Sequence, residues 1–491
     1  MNWNSELTSM EVLRKAWSQL LAKGEKDDSA AAALARLLAL RMDGLDIDSA
    51  SGLLPVLPVM LTAKQEFAIH QLVDELCTLI RRVAKDIMAC PDGLSLLGIG
   101  DAQHENFMAP CASDRHAADI LRADVILNCG KPYIIEVNFN SLLGGSSETP
   151  VLTGAYLDWC LRAEHGEGMG FTAANFFSAR THYLWSLLRR NPLKGRPVVA
   201  VIGLPSDIET YRSFFEREQH YLRSHGVLAI LVPPEKVAVV DGWLVAGGHR
   251  LDIAIRQYQL GDAVRDELDF AHLRSLEQEA RHTIFLTTQH CQLYSSKYIL
   301  AELHARAPGL DAAERQLVYE HVPWTAVLRE GRANQLGDAV DLLPFVLANR
   351  EGLVIKPIDA NMGRGVVVGR DVTAEQWRRV VEAAATEGRH VVQWFVESDL
   401  FPMLSCDPAS GNLQESYVQS VFGPYQLGGR PGGINVRQRR VDDGCHMVNW
   451  DNDKIMNAAL TAYPDVFAAN GQEGVRESSA RPSKAVHDFD Y

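Results

Sequence analysis

The chain has 491 residues, of which 47% are hydrophobic, and its formal net charge is −14. This composition predicts a globular protein of two or three domains and excludes a disordered chain. The negative charge argues against nucleic acid as a partner, because phosphate backbones select basic surfaces. We expect no membrane association, since the most apolar run, residues 51–63, is short and contains two prolines; the polar N-terminus predicts a cytoplasmic protein.

The first part of the chain combines helical patterns with one pair of strands. Apolar side chains recur at helical spacing through the first hundred residues, so residues 1–110 are predicted to form a helical N-terminal region. Two β-type runs follow, and the Cys129-Gly130 step between them predicts a hairpin turn. The predicted elements are helices at 13–21, 31–40, 63–88 and 116–121, strands at 124–128 and 132–137, and helices at 152–161 and 173–188.

A polar break with two prolines and a glycine, residues 190–197, predicts a domain boundary. Beyond it strand, helix and strand alternate, and this order predicts a doubly wound parallel α/β domain over residues 191–283. Residues 111–190 and 284–468 form the units on either side of it. Residues 469–491 have no apolar periodicity, which predicts a flexible tail.

A pair of oxygen donors stands in the segment YIIEVNFNSLLGG, residues 133–145. Glu136 and Asn138 alternate along a predicted strand and therefore point to the same face. Oxygen ligands on one face suit Mg²⁺, which binds through one or two carboxylates together with substrate phosphates. Taken alone, the pair is explained equally well as polar residues on the open face of a hairpin.

A lysine beside a glycine loop stands in the segment LVIKPIDANMGRGVVVG, residues 353–369. An apolar strand ends in Lys356, and a loop with Gly363 and Gly365 follows it. The ammonium can meet the charge of nucleotide phosphates, and the glycines let backbone N–H groups approach the phosphate oxygens. A surface lysine is the alternative, but its apolar neighbours predict a buried strand pair, where an unpaired ammonium would be costly.

Three features occur in order along the chain: the E-x-N strand followed by Gly144-Gly145, a lysine that opens a helix (Lys297), and the strand, lysine, proline and glycine loop at Lys356. This set resembles the ATP-grasp ligases. In most of that superfamily the E-x-N motif follows the lysines, whereas here it precedes them. The order resembles the circularly permuted branch that includes eukaryotic-type glutathione synthetases and, more distantly, glutathionylspermidine synthetases.

The resemblance implies an α/β (α+β) fold, a circularly permuted ATP-grasp with a helical N-terminal region and a doubly wound middle domain. Residues 111–190 would be the metal-binding part of the core, and residues 284–468 the nucleotide-binding part and lid. The middle domain would bind substrate. ATP and Mg²⁺ are the implied cofactors, and a homodimer is expected by analogy.

The resemblance also implies roles for individual residues. For Arg256, a salt bridge to Asp252 or Glu267 explains the position nearly as well, and a lysine early in a helix, such as Lys297, is common. The implied residues are, for the metal, Glu136, Asn138 and Asp359; for ATP, Lys297, Lys356, Gly363, Gly365, Gln393, Trp394 and Val396; for catalysis, Lys356, Arg437 and Arg439; and for substrate, Arg122, Asn140, Ser141 and Arg256.

Departures from the glutathione synthetase pattern concentrate around the substrate contacts. The loop after Lys356 is poorer in glycine, and its carboxylate, Asp359, is shorter and one position earlier than the family's glutamate. Arg256 lacks the D-G-Y that follows it in the family, and the region after Arg439 lacks the glycine- and alanine-rich lid. These differences imply that the energy source is retained while the substrate has changed.

The implied activity is that of an ATP-dependent carboxylate–amine ligase, which forms an amide through an acylphosphate. Its partners would be small-molecule carboxylate and amine substrates, the carboxylate being an amino acid or a γ-glutamyl-type compound. Two alternatives stay open. The acyl group could be loaded onto the thiol of a carrier protein, or the protein could bind nucleotide without catalysis.

Overall fold

The mixed α/β fold predicted from the sequence is confirmed. Within the described residues, none of the helices is long and apolar enough to cross a membrane. The predicted tail at 469–491 lies outside those residues. The computed structural model describes residues 3–21, 30–43, 45, 52–100, 107, 111, 113–162, 170–190, 195–259, 263, 265–360, 363–408, 410–441 and 454–462.

A mostly antiparallel sheet of nine strands, here the large sheet, is the largest element of the described chain. Its long central strands are Leu413–Leu427 and Arg430–Arg440, and the hairpin of Ile120–Asn128 and Lys131–Phe139 pairs with the first of them. The predicted turn at Cys129 and Gly130 is confirmed by positive φ angles of 49° and 74°. The other strands are Leu54–Pro55, Val59–Thr62, Phe171–Thr172, Leu400–Cys406 and Lys454–Ala462.

A four-stranded antiparallel sheet, the small sheet, carries Lys356. Residues 395–399 connect its strand His390–Trp394 directly to the large-sheet strand Leu400–Cys406. The Asp399 carboxylate accepts hydrogen bonds from the backbone N–H groups of Cys129 and Gly130, at 2.7 Å each. This crossover therefore joins the two sheets at the hairpin turn. The remaining strands of the small sheet are Thr325–Val327, Leu353–Pro357 and Val367–Val368.

The predicted middle domain, residues 191–283, contributes three strands to a parallel sheet of four, and the fourth strand, Ile284–Leu286, lies just beyond the predicted limit. Alternate side chains of Val198–Gly203 enter two separate cores: Val199 and Val201 one, Ala200 and Ile202 the other. Helix Arg212–Ser224 covers the first face and helix Phe270–Glu279 the second, so the sheet is doubly wound as predicted. Its spatial order is Ile284–Leu286, Ile253–Gln257, Val198–Gly203, Leu228–Val232.

Most predicted helices lie where the periodicity placed them. The helix predicted at 63–88 is Ala63–Met88, and it begins at a capping box formed by Thr62 and Gln65. The further α-helices of the described residues are Trp3–Leu21, Ala30–Met42, Gly93–Leu96, Glu148–Arg162, Phe176–Leu188, Pro205–Thr210, Cys291–Ser295, Tyr298–Arg306, Ala312–His321, Leu342–Ala348 and Ala374–Glu387.

The predicted helix at 116–121 is wrong. A single 3₁₀ turn, Asp114–His116, is followed by the strand that begins at Ile120. This strand is buried on both faces from Ile120 to Leu127, so it lacks the polar alternation by which a strand is recognised. The helical N-terminal region also contributes Leu54–Pro55 and Val59–Thr62 to the large sheet. The domain limits themselves stay a prediction.

A buried ion pair supports the middle domain and gives a test of the fold. Arg180 Nη2 lies 2.6 Å from Glu218 Oε1, and both side chains are almost fully buried. Replacing Glu218 by alanine leaves the Arg180 charge buried without its partner, so we expect a loss of roughly 3–5 kcal/mol in the free energy of unfolding by urea. Glu216→Ala on the same helix removes a solvent-exposed carboxylate and should change it little. Equal effects of the two substitutions would contradict this account.

Candidate active site

Two segments that are remote in the sequence meet in one cleft. Glu136 and Asn138 of the large sheet and Lys356 of the small sheet all line a cavity of about 980 Å³. This volume is at the upper end of the range for small-molecule sites. The predicted site residues that line the cleft are Arg122, Glu136, Asn138, Asn140, Lys297, Lys356, Asp359, Gly363, Gln393, Trp394, Val396 and Arg437.

Lys356 ends a buried strand and is held by the neighbouring strand. Its Nζ donates to Gln393 Oε1 at 2.7 Å, and Gln393 Nε2 donates to Thr325 Oγ1 at 3.0 Å. Burial lowers the pKa of Lys356 to about 8; the Glu136 carboxylate opposes this shift and the Lys297 ammonium adds to it. The site therefore holds an ammonium that an incoming anion would stabilise.

Lys297 connects the two walls of the cleft. It precedes the helix Tyr298–Arg306, and its Nζ lies 3.2 Å from Glu136 Oε1 of the large sheet. The same Nζ donates to the Ala360 carbonyl at 2.7 Å, and the Lys297 backbone N–H donates to Ile358 O at 3.0 Å. Both acceptors belong to the segment after Lys356. One lysine thus fixes the start of the glycine loop against the strand that carries Glu136.

A buried carboxylate holds two of the predicted arginines. Asp124 Oδ1 lies 3.1 Å from Arg122 Nε, and its Oδ2 lies 2.7 Å from Arg437 Nη2. Burial alone would raise the pKa of Asp124, but the guanidinium groups of Arg437 and Arg122 hold it below its usual value. In the hairpin, Asp124 is paired with Glu136 and Arg122 with Asn138, so register brings these polar groups to one place.

An apolar slot adjoins these charges. The large sheet contributes Ile126 and Ile135 to the cleft lining, and the small sheet contributes Val354 and Val368. The predicted hinge strand forms one end, where the Trp394 ring lies 6.0 Å from the ring of Trp324. A flat apolar group could lie between the two sheets here, next to the buried lysines.

The glycine turn after the E-x-N strand lies against the arginine cluster. The Gly144 carbonyl accepts hydrogen bonds from Arg122 Nη1 at 2.9 Å and from the Tyr425 hydroxyl at 2.7 Å. Gly145 has a φ angle of +81°, and a Cβ atom there would lie 2.4 Å from Asn435 Nδ2. Conformation and space therefore both require glycine at this position.

The donor set fits a magnesium ion bound mainly through phosphate oxygens. Glu136 and Asn138 offer oxygen atoms on one face, as the sequence predicted. The third predicted ligand, Asp359, lines the cleft, but its Oδ2 pairs with Arg389 Nη2 at 2.8 Å. Within the described part of the chain, no three His, Cys, Asp or Glu side chains form a metal cluster. The protein would thus supply only part of the coordination.

Three predicted residues lie behind the cleft wall. Arg256 is fully buried, and its guanidinium donates to the carbonyls of Thr287 and Thr288 at 2.8 and 3.0 Å. Its Nε also lies 3.4 Å from Glu277 Oε1, so the salt bridge of Arg256 is to Glu277 and not to Asp252 or Glu267. These contacts occupy the guanidinium in this structure, and the substrate role of Arg256 stays a prediction. Ser141 and Arg439 are also fully buried and do not line the described cleft.

Two further residues shape the site and carried little signal in the sequence. Asp124 neutralises the arginine pair, and only its same-face spacing from Arg122 could have indicated this. Arg364 lines the cleft from the glycine loop, between Gly363 and Gly365, whose φ angles are 78° and 70°. Gly365 itself shapes the loop, since a Cβ atom there would lie 2.8 Å from the Pro357 ring.

Comparisons with known proteins identify the fold. A scan against protein-family models gave no match, and neither did a search of curated protein sequences. Among solved structures, a glutathione synthetase-like effector from Globodera pallida aligns over 92% of this chain and 97% of its own, with 9% identity and a TM-score of 0.56. The two chains therefore share a fold. The predicted ATP-grasp resemblance is thereby confirmed at the level of the fold.

Two other ligase structures align more loosely. A proposed γ-glutamylcysteine synthetase from Methylobacillus flagellatus covers 80% of this chain and 90% of its own, with 14% identity and a TM-score of 0.39. D-alanyl-alanine synthetase A from Vibrio cholerae covers 57% of this chain and 95% of its own, with 10% identity and a TM-score of 0.26. The circular permutation inferred from the motif order stays a prediction.

The glycine turn gives a test of the local geometry of the cleft. Gly145→Ala should lower the free energy of unfolding by about 1–3 kcal/mol more than Gly429→Ala does, because both positions have positive φ but only Gly145 faces a clash. Gly429 has a φ angle of +78°, and a Cβ atom added there would have no other atom within 4 Å. The measurement is urea unfolding of the two variants. Similar losses of unfolding free energy in the two variants would show that the Asn435 side chain moves aside at little cost.

Proposed function

We propose that this protein is an ATP-dependent carboxylate–amine ligase that forms an amide bond through an acylphosphate. The observation that carries the proposal is the charge of one cluster in the cleft, the group linked through the carboxylates of Asp124 and Glu136. Lys297, Lys356, Arg122 and Arg437 supply four cations against the two carboxylates of Asp124 and Glu136. Such a buried excess of positive charge favours an anionic ligand, since unpaired charge away from water is costly.

The shape of the cleft supports a nucleotide as that anion. The apolar slot between the sheets would take the adenine, beside the predicted hinge at Gln393, Trp394 and Val396. Lys297 and Lys356 would hold the phosphates, with Gly363 and Arg364 of the loop beside them. Glu136 and Asn138 would bind Mg²⁺, together with Asp359 if that carboxylate leaves its ion pair with Arg389. The ion would offset part of the phosphate charge.

The proposed chemistry needs positioned charges and no protein nucleophile. One substrate's carboxylate attacks the γ-phosphate of ATP and forms an acylphosphate and ADP; an amine then attacks the acyl carbon and phosphate leaves. Arg437 would stabilise charge on the transferred phosphoryl group, and Arg122 would hold the substrate carboxylate. Asp124 fixes both guanidinium groups. Asn140 lines the same region and would contact substrate.

A phosphate-release assay with ATP, Mg²⁺ and paired amino acids and amines tests the activity. Glu136→Gln and Lys356→Ala should each lower turnover by about 100-fold or more, because each removes a group that contacts the charged ligands. Glu235→Gln and Lys236→Ala, two exposed positions outside the cleft, are the matched controls. Full activity in both site variants would disprove the proposed site. Nucleotide binding without phosphate release for any amine, or release only with a thiol acceptor, would favour one of the alternatives.

The lowered pKa of Lys356 predicts a pH dependence of nucleotide binding. The phosphates bind the protonated ammonium, so affinity for ATP should fall as the pH rises through about 8, where free Lys356 loses its proton. Binding near pH 8.5 should take up protons, which calorimetry in two buffers of different ionisation enthalpy measures. The Lys356→Ala variant should bind ATP more weakly and should not take up protons on binding. Identical proton uptake in that variant would assign it to another group.

A further inference from the structure

The cleft extends beyond the nucleotide-binding part into the middle domain. This extension, the substrate arm, is lined by residues at and after the carboxyl end of strand Ile253–Gln257 and by the helix pair that follows strand Val198–Gly203. Ligands commonly bind at the carboxyl ends of strands in such sheets. The lining residues from this domain are Asp207, Thr210, Tyr211, Ser213, Phe214, Phe215, Gln257, Gln259 and Arg265.

Among the described residues that line the substrate arm, no cation lacks a carboxylate partner. The arm therefore has no cation available for a second carboxylate group of the substrate. Arg265 lies 2.6 Å from Asp207 and 3.3 Å from Asp266, so two carboxylates already neutralise it. Arg256 is turned into the core and donates to backbone carbonyls. An anionic group on this part of the substrate would be repelled.

The arm presents aromatic surface. Tyr211 separates the helices Pro205–Thr210 and Arg212–Ser224. It lines the cleft, and 42% of its surface is exposed. Phe215 is buried against Gly203, where a Cβ atom would lie only 2.6 Å from its ring. The Phe214 ring packs edge-on against Phe215 at 5.2 Å and faces the cleft. The buried Phe215 ring thus holds the Phe214 ring in place as part of the cleft wall.

We propose that the substrate body opposite Tyr211 and Phe214 is uncharged and aromatic or aliphatic, as in an amino acid with an apolar side chain. This inference takes one element from the proposed function, namely that the substrate carries a reacting carboxylate. Aromatic rings in such an arm, whose described lining has no cation without a carboxylate partner, bind apolar groups by area burial and ring stacking.

Calorimetric binding of single amino acids tests the proposal independently of turnover. L-Phenylalanine and L-leucine, titrated into protein with and without the β,γ-imido analogue of ATP and Mg²⁺, should bind more tightly than L-glutamate or L-lysine. Phe214→Ala and Tyr211→Ala should weaken the affinity for L-phenylalanine about tenfold or more. Phe67→Ala and Tyr417→Ala, which remove exposed rings outside the cleft, are matched controls and should leave it unchanged.

The outcomes separate this inference from the ligase proposal. Tightest binding of L-glutamate or L-lysine, no binding of the apolar probes, or an unchanged affinity in both cleft variants would overturn the inference. Affinity for the ATP analogue, measured alone, should be the same in Phe214→Ala as in the unsubstituted protein. Absence of analogue binding would instead contradict the ligase proposal, while selective binding of L-phenylalanine would still support the apolar arm.

Discussion

The contact between Lys297 and Glu136 is the constraint on which the site depends. It joins a helix start from the later half of the sequence to a strand from the earlier part, at 3.2 Å. Without Glu136, the buried ammonium groups of Lys297 and Lys356 would repel each other without a carboxylate to offset them, a costly arrangement in a low dielectric. The carboxylate therefore allows the lysines to be buried before any ligand arrives, and it stands where it can also meet a cation.

The same principle organises the neighbouring arginines. Asp124 lies between Arg122 and Arg437 and is opposite Glu136 in the hairpin register. Each carboxylate thus balances about half of the positive charge around it. The cluster keeps the cations fixed and partly satisfied, yet it leaves a net demand for negative charge. Pre-formed sites of this kind need little rearrangement when a phosphate group binds.

Much of the fold and part of the candidate site could be predicted from the sequence. Helix 63–88 and the hairpin at Cys129 were readable because periodicity and turn chemistry are local properties. Glu136 and Lys356 were found because each ends or lines a strand beside a glycine segment. Whether they share a cleft could be inferred only through the resemblance, since their proximity depends on the packing of two sheets.

Two features that local sequence patterns do not reveal have the same origin in long-range structure. The strand beginning at Ile120 is buried on both faces and gives no alternating pattern, so a helix was predicted over its start. Arg256 ends a parallel strand, which is a common ligand position, but its side chain turns to the carbonyls of Thr287 and Thr288. Side-chain direction at a strand end depends on the partners that the tertiary fold provides, and the local sequence does not contain them.

The crossover at residues 395–399 has a mechanical consequence. It ties the small sheet to the large one at a single side of the cavity, where Asp399 clamps the backbone of Cys129 and Gly130. One covalent connection and two hydrogen bonds therefore hold the two walls together beside the Trp394 end of the apolar slot, and we expect any change in their separation to be smallest there.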